Sequence, residues 1–268
     1  MLFRSGGLAG EQEADDLAAR ADIAFVQLAR EALLAVSPGA IAFHAFNAVA
    51  HLIDRASALG YQRLVIVLAY DSWLGPHDAT SWFERAVDCL IGSTGVAQGV
   101  SVRLVLPAGN SGRQQAHQQL LPAGGALLPL HLFLAPDSEL PTWVELWLPP
   151  RWVSKGHLTF NAPTGETLSV PISGVAYWGP PAQAQLVKYT DGLHGPGSRQ
   201  RVLLRFAPTR RRDGHAVAPH GVWAITLRGV SATDGEGLAY IGRAGRLMYQ
   251  TAFARQSRFV VEIGRAHV

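Results

Sequence analysis

The 268-residue sequence holds a single cysteine, Cys89, so no disulfide can close within the chain and no cluster of thiolates can bind a metal. Charge is sparse as well. Asp, Glu, Lys and Arg make up 16% of the residues and the net charge is +3, too small a surplus to draw the chain to nucleic acid. No apolar run approaches the ~18 residues of a membrane-spanning helix. The Gly-x-Ser-x-Gly elbow of the α/β-hydrolases is missing, and so are internal repeats and low-complexity tracts. What the chain has in quantity is hydrophobic side chains, 48% of the total, enough for one large core or two ordinary ones. Cys89 falls within an apolar helical pattern and is expected to be a small buried hydrophobe. The one dense basic cluster, Arg210-Arg211-Arg212 beside Asp213-Gly214, reads as a solvated loop.

The first half of the chain alternates strand-like and helix-like patterns. Ile23 to Leu28 has the composition of a strand, and Ala45 to Leu59 that of a helix. Leu64 to Tyr70 is a short, β-branched apolar run, as expected of a strand covered on both faces. After a turn containing Gly75-Pro76, Ser81 and Glu84 stand at capping-box spacing. Phe83, Ala86, Val87, Leu90 and Ile91 then recur at helical intervals. Val102 to Leu106 is the next strand, so strand, helix and strand form a βαβ unit.

Just past that unit comes Pro107-Ala108-Gly109-Asn110-Ser111-Gly112. A carboxamide at the carboxyl end of such a strand lies where open α/β sheets place their sites, and its N–H groups can meet a developing oxyanion. Asn110 is therefore either such a donor or a turn residue.

At Ala108-Gly109-Asn110 the chain resembles the subtilisin-like serine peptidases. Gly75-Pro76-His77-Asp78-Ala79-Thr80-Ser81 is similar to a Gly-Pro-His-Asp-Gly-Ser-Ser turn of a bacterial, large-insertion branch of that family. Tyr240-Ile241-Gly242-Arg243 and Arg255-Gln256-Ser257 are similar to its later segments. The resemblance implies an α/β fold, a partial subtilisin-like parallel-sheet domain with an inserted antiparallel β-sandwich. It implies peptide-bond hydrolysis of a polypeptide substrate, with Asn110 as the oxyanion-hole donor; no cofactor is expected, and no residue is assigned as a metal ligand. Tyr70, Asp71, Ala108 and Gly109 would border the substrate groove. Ala69-Tyr70-Asp71 departs from the family's Ser-x-Gly at that place. The family's Asp-Ser/Thr-Gly, His-Gly-Thr-His and Gly-Thr-Ser-x-Ala-Ala-Pro motifs are absent, so the triad Asp, His and Ser are expected outside this sequence.

The termini agree with an internal piece of a gene. Leu2-Phe3-Arg4-Ser5 can be encoded by CTC TTC CGA TCT, and Glu262 to Val268 by GAG ATC GGA AGA GCA CAC GTC. These stretches contain mutually reverse-complementary DNA and match a common sequencing adapter, so residues 1–5 and 262–268 are expected to be adapter-derived and to carry no functional information.

From Thr142 onward the period changes from helix to strand. Thr142 to Leu148, Thr167 to Val170, Gln185 to Tyr189, Arg201 to Phe206 and Val222 to Leu227 are short alternating runs between Gly, Pro and Asn turns, the pattern of an antiparallel β-sandwich. With the resemblance this divides the chain into a partial peptidase domain over 6–135, an inserted sandwich over 136–236 and a return to the peptidase over 237–261.

Other constellations are weighed against plainer readings. His77, Asp78 and Ser81 hold three triad residue types in one turn, but a working triad draws its members from separate elements, which favours an Asx-type turn with Ser81 as helix cap. His117 reads as structural or exposed rather than catalytic. His215 and His220 lack a third zinc ligand nearby. Trp143, Trp147, Trp152, Trp178 and Trp223 are expected in the sandwich core rather than on a sugar-stacking platform, Trp143 and Trp147 sharing one strand face. The alternative to a peptidase fragment is a noncatalytic protein, an α/β scaffold bearing a β-sandwich that binds protein or carbohydrate.

Overall fold

The computed structural model describes residues 21–28, 38–69, 74–92, 94–108, 114–121, 128–178, 184–189, 199–210, 217–242 and 256–260. They fall into two compact units, one formed by 1–69 with 85–106 and the other by 70–84 with 107–268.

In the first unit, helix α1 (Pro38–Ala58) precedes strand β1 (Arg63–Val67). Helix α2 (Trp82–Ile91), which belongs to this unit from residue 85 onward, leads to β2 (Val96–Ala97) and β3 (Val100–Val105). The three strands lie in the order β1–β3–β2. β1 and β3 are parallel, with Leu64 opposite Val102 and Ile66 opposite Leu104. Alternation turns Leu64, Ile66, Val100 and Val102 to one face, where Val49, Ile53 and Ala56 of α1 and Leu90 and Ile91 of α2 join them. The expected capping box starts α2: Ser81 Oγ accepts the Glu84 N–H at 3.2 Å, and Glu84 Oε2 accepts the Ser81 N–H at 3.1 Å.

The second unit is built from two antiparallel sheets. One has six strands in the order β4 (His117–Leu120), β13 (Gly237–Ile241), β6 (Thr142–Leu148), β11 (Gln200–Phe206), β10 (Ala184–Tyr189) and β9 (Ala176–Trp178). The other has five: β14 (Arg258–Phe259), β5 (Leu128–Leu134), β12 (Gly221–Arg228), β7 (His157–Asn161) and β8 (Thr167–Pro171). A short helix, α3 (Pro150–Lys155), follows β6 with Pro at its start. Val144, Leu146, Leu148, Val202 and Leu204 from the first sheet share one core with Leu130, Leu132, Leu134, Ile225 and Leu227 from the second. Phe206 and Trp223 meet edge to face across it, with ring centroids 5.1 Å apart.

This architecture corrects the expected fold class. The described residues form a mostly β protein with one parallel strand pair, β1–β3, among three sheets, and not a subtilisin-like parallel-sheet α/β domain carrying an inserted β-sandwich. The βαβ pattern was real but extended no further: every other described ladder is antiparallel. Ile23 to Leu28 is not a regular strand. It holds a single bridge at Ala24, and Phe25 is exposed, so its apolar residues find no sheet to fill.

Two burial expectations also change. Cys89 is exposed, because the apolar stripe of α2 runs through Val87, Leu90 and Ile91 and leaves position 89 to solvent. Trp152 and Trp223 do lie in the sandwich core, but Trp143 and Trp147 do not. They alternate with Val144, Leu146 and Leu148, so they occupy the opposite face of β6.

Candidate functional site

That opposite face of the six-stranded sheet carries the densest polar and aromatic cluster among the described residues of the second unit. On β6, Glu145 stands between the two tryptophans and its side chain is only 6% exposed. A buried carboxylate must have its oxygens satisfied. Oε2 accepts the Gly75 N–H at 2.9 Å and the Trp147 indole N–H at 3.1 Å. Oε1 accepts from the Arg201 guanidinium at 3.2 Å. Arg201 reaches it from the next strand, β11, where it pairs with Trp147 and lies over the indole ring at 5.9 Å. Arg205 repeats this arrangement over Trp143 at 5.8 Å.

The Gly75 hydrogen bond fastens the turn that precedes α2. Next to it, Leu74 packs on Trp147 and Tyr240. Tyr240 of β13 is held between two imidazoles, His77 from the turn at 4.5 Å and His117 from β4 at 4.7 Å, with ring planes within 16° and 13° of parallel. Pairing across the β4–β13 ladder puts His117 opposite Tyr240. His77 reaches the other side of the ring from a left-handed backbone, φ 51°. Burial, then the nearby His77, lowers the His117 pKa below its ordinary value. Burial raises the Tyr240 phenol; Arg199 opposes that shift, and Asp78 and Glu145 add to it.

An ion-pair network borders the stack. Arg199 reaches Glu236 at 3.0 Å and Asp78 at 3.5 Å, and Gln119 donates to Glu236 at 2.6 Å. Asp78 Oδ1 accepts the Thr80 N–H at 3.2 Å, which makes the turn an Asx turn. The local triad therefore does not form. His77 is engaged by Tyr240, Asp78 by Thr80 and Arg199, and Ser81 by Glu84.

The residues singled out from the sequence fare unequally. Asn110, Gly109, Tyr70 and Asp71 lie outside the described residues, as does His215. Ala108 is an exposed residue in the irregular segment that follows β3. His220 is exposed just before β12. Among the described residues no three His, Cys, Asp or Glu side chains converge as a metal site would require. Nor is any helix among them long and apolar enough to cross a membrane. Of the arginine cluster, Arg210 is described, and it pairs with Glu139.

Glu145, Arg199 and Arg201 were not singled out as site residues. The available signal was Glu145 itself, one carboxylate in the otherwise uncharged run Thr-Trp-Val-Glu-Leu-Trp-Leu.

No protein family matches the chain, and no curated protein does. A solved structure does: that of the CspB protease of Clostridium perfringens, with a TM-score of 0.61 at 16% sequence identity. The match covers 82% of this chain and 41% of that one, so the chain spans about two fifths of the protease it is similar to. At this identity the likeness is one of fold, and it relates the backbone described above to part of a protease.

Proposed function

We propose that this chain is an internal part of a subtilisin-like serine endopeptidase and supplies that enzyme's oxyanion-hole donor, Asn110. The observation that carries the reading is the backbone likeness to a clostridial protease across 82% of the chain. Ala108-Gly109-Asn110 follows β3 after two residues in the sequence, the order in which the resemblance sets the oxyanion-hole donor.

In the intact enzyme a serine Oγ attacks the substrate carbonyl carbon and passes its proton to a histidine, which an aspartate orients. The carbonyl π electrons move to oxygen, and the Asn110 carboxamide N–H stabilises the resulting anion. Tyr70, Asp71, Ala108 and Gly109 border the groove that receives an extended polypeptide. The three triad residues belong to sequence flanking this chain, so the chain by itself hydrolyses no peptide.

The test is to recover the gene beyond both ends and express the extended enzyme. An upstream Asp and His with a downstream Gly-Thr-Ser are expected. In that enzyme Asn110→Ala should lower kcat by ~10²–10³ with KM nearly constant, a magnitude taken from subtilisin's own oxyanion-hole amide. Flanks without a triad, or hydrolysis by the purified chain that persists in Asn110→Ala, would overturn the proposal.

A further inference from the structure

The turn that leads into α2 is strained. Its backbone turns left-handed at every second residue, with φ 123° at Gly75, 51° at His77 and 63° at Ala79. Glycine takes such angles freely, but His77 and Ala79 take them against their own Cβ atoms. A turn that only reverses the chain is made more cheaply, from Gly, Pro and Asn. Left-handed non-glycine residues persist where their surroundings over-determine them, and they gather at functional sites, where the strain belongs to pre-organisation.

The surroundings here hold the turn along its whole length, and all of them lie within the second unit. Glu145 of β6 accepts the Gly75 N–H at 2.9 Å. Tyr240 of β13 carries the His77 ring at 4.5 Å and, with Trp147, packs against Leu74. Arg199, next to β11, reaches Asp78 at 3.5 Å. The Ser81–Glu84 capping box closes the far end. At its near end the held turn begins only three residues after Asp71.

We propose that Glu145, Tyr240 and His77 are positioning residues of the peptidase groove: by keeping the turn in its strained form they fix the Tyr70-Asp71 border against which the polypeptide substrate lies. The inference rests on the function proposed above. A border that is loose must be ordered each time substrate binds, at a cost to affinity, whereas one ordered beforehand spares that cost. These residues therefore set substrate binding and leave the chemical step to others.

The first variant is His77→Asn. Asparagine accepts a left-handed backbone, so the substitution removes the stacked ring without opposing the turn's φ. His77 is exposed, so the fold stays intact, which circular dichroism checks. In the whole chain, hydrogen exchange of the Gly75 and Thr80 amides, followed by NMR, should quicken about two- to tenfold relative to that of β12 amides, the size of a lost aromatic pair. In the extended enzyme the same variant should raise KM for a peptide substrate about two- to tenfold with kcat nearly constant, the reverse of Asn110→Ala. Glu145→Gln loosens the turn from the sheet side and should move both readouts in the same direction. Unchanged exchange, or an active enzyme whose KM ignores a loosened turn, would overturn this inference and leave the proposed function standing. Flanks without a triad would overturn both.

Discussion

At the scale of single residues, Glu145 does the most to hold the second unit's outer sheet face together. Its carboxylate takes three donors from three separate elements: the Gly75 amide, the Trp147 indole and the Arg201 guanidinium. Glu145→Gln keeps the shape but replaces one accepting oxygen with an NH₂ that faces donors. The expected cost is about 1.5–3 kcal/mol, the range for a hydrogen bond to a charged group, read as a lower urea midpoint by tryptophan fluorescence. An unchanged midpoint would mean that the turn is held without this carboxylate, by its other contacts through Leu74, His77 and Asp78. His117 gives a second residue-level expectation. Its pKa in the fold lies below the ordinary 6.5, so the unfolded chain binds more protons than the folded one as pH falls through that value. Its contribution to stability is therefore complete above pH 6.5 and declines as pH drops through the folded pKa. His117→Gln should flatten this part of the pH profile of the urea midpoint, and a profile that keeps its slope would refute the assignment.

At the scale of elements, what the sequence made legible follows from whether a segment's pattern is local. β6, β8, β10, β11 and β12 alternate apolar and polar residues between turn formers, and each is a strand close to its expected bounds. α2 declares itself twice, by its stripe and by its capping box. Ser81→Ala should remove that cap and cost about 1 kcal/mol, while Ser81→Asp should retain most of it; thermal melts followed by circular dichroism distinguish the two. Segments without a local signal were not legible. β4 reads His-Gln-Gln-Leu and is a strand because β13 pairs with it. Ile23 to Leu28 has strand composition but no ladder. The faces of Trp143 and Trp147 were half legible: period two gives them one side in common, but which side is the core depends on how the two sheets stack. The same limit governed the candidate site. The Asx turn and cap could be read from spacing, whereas the convergence of Glu145, Tyr240 and His117 joins three strands and a distant turn, and no window of sequence contains it.

At the scale of the whole molecule, the parallel β1–β3 pair invited a larger reading than it could support, because one βαβ unit has the same local pattern whether its sheet continues or stops at three strands. The two units differ greatly in what they bury. Among the described residues the sandwich core gathers 27 buried hydrophobic residues and the first unit's cluster seven, which makes the first unit the weaker of the two. Unfolding by urea should therefore depart from two-state behaviour, the first unit yielding at lower concentration. The sequence provides separate reporters for each transition. All seven tryptophans, at positions 73, 82, 143, 147, 152, 178 and 223, lie within 70–84 and 107–268, so tryptophan fluorescence follows the second unit. The 21-residue α1 belongs to the first unit and is the longest of the described helices, against ten residues in α2 and six in α3, so far-ultraviolet circular dichroism weights the first unit. The dichroism midpoint should fall below the fluorescence midpoint, and Ile53→Ala, which opens a cavity under β1, should lower the former by about 2–5 kcal/mol of stability and leave the latter in place. Coincident midpoints that move together in Ile53→Ala would instead establish a single cooperative unit.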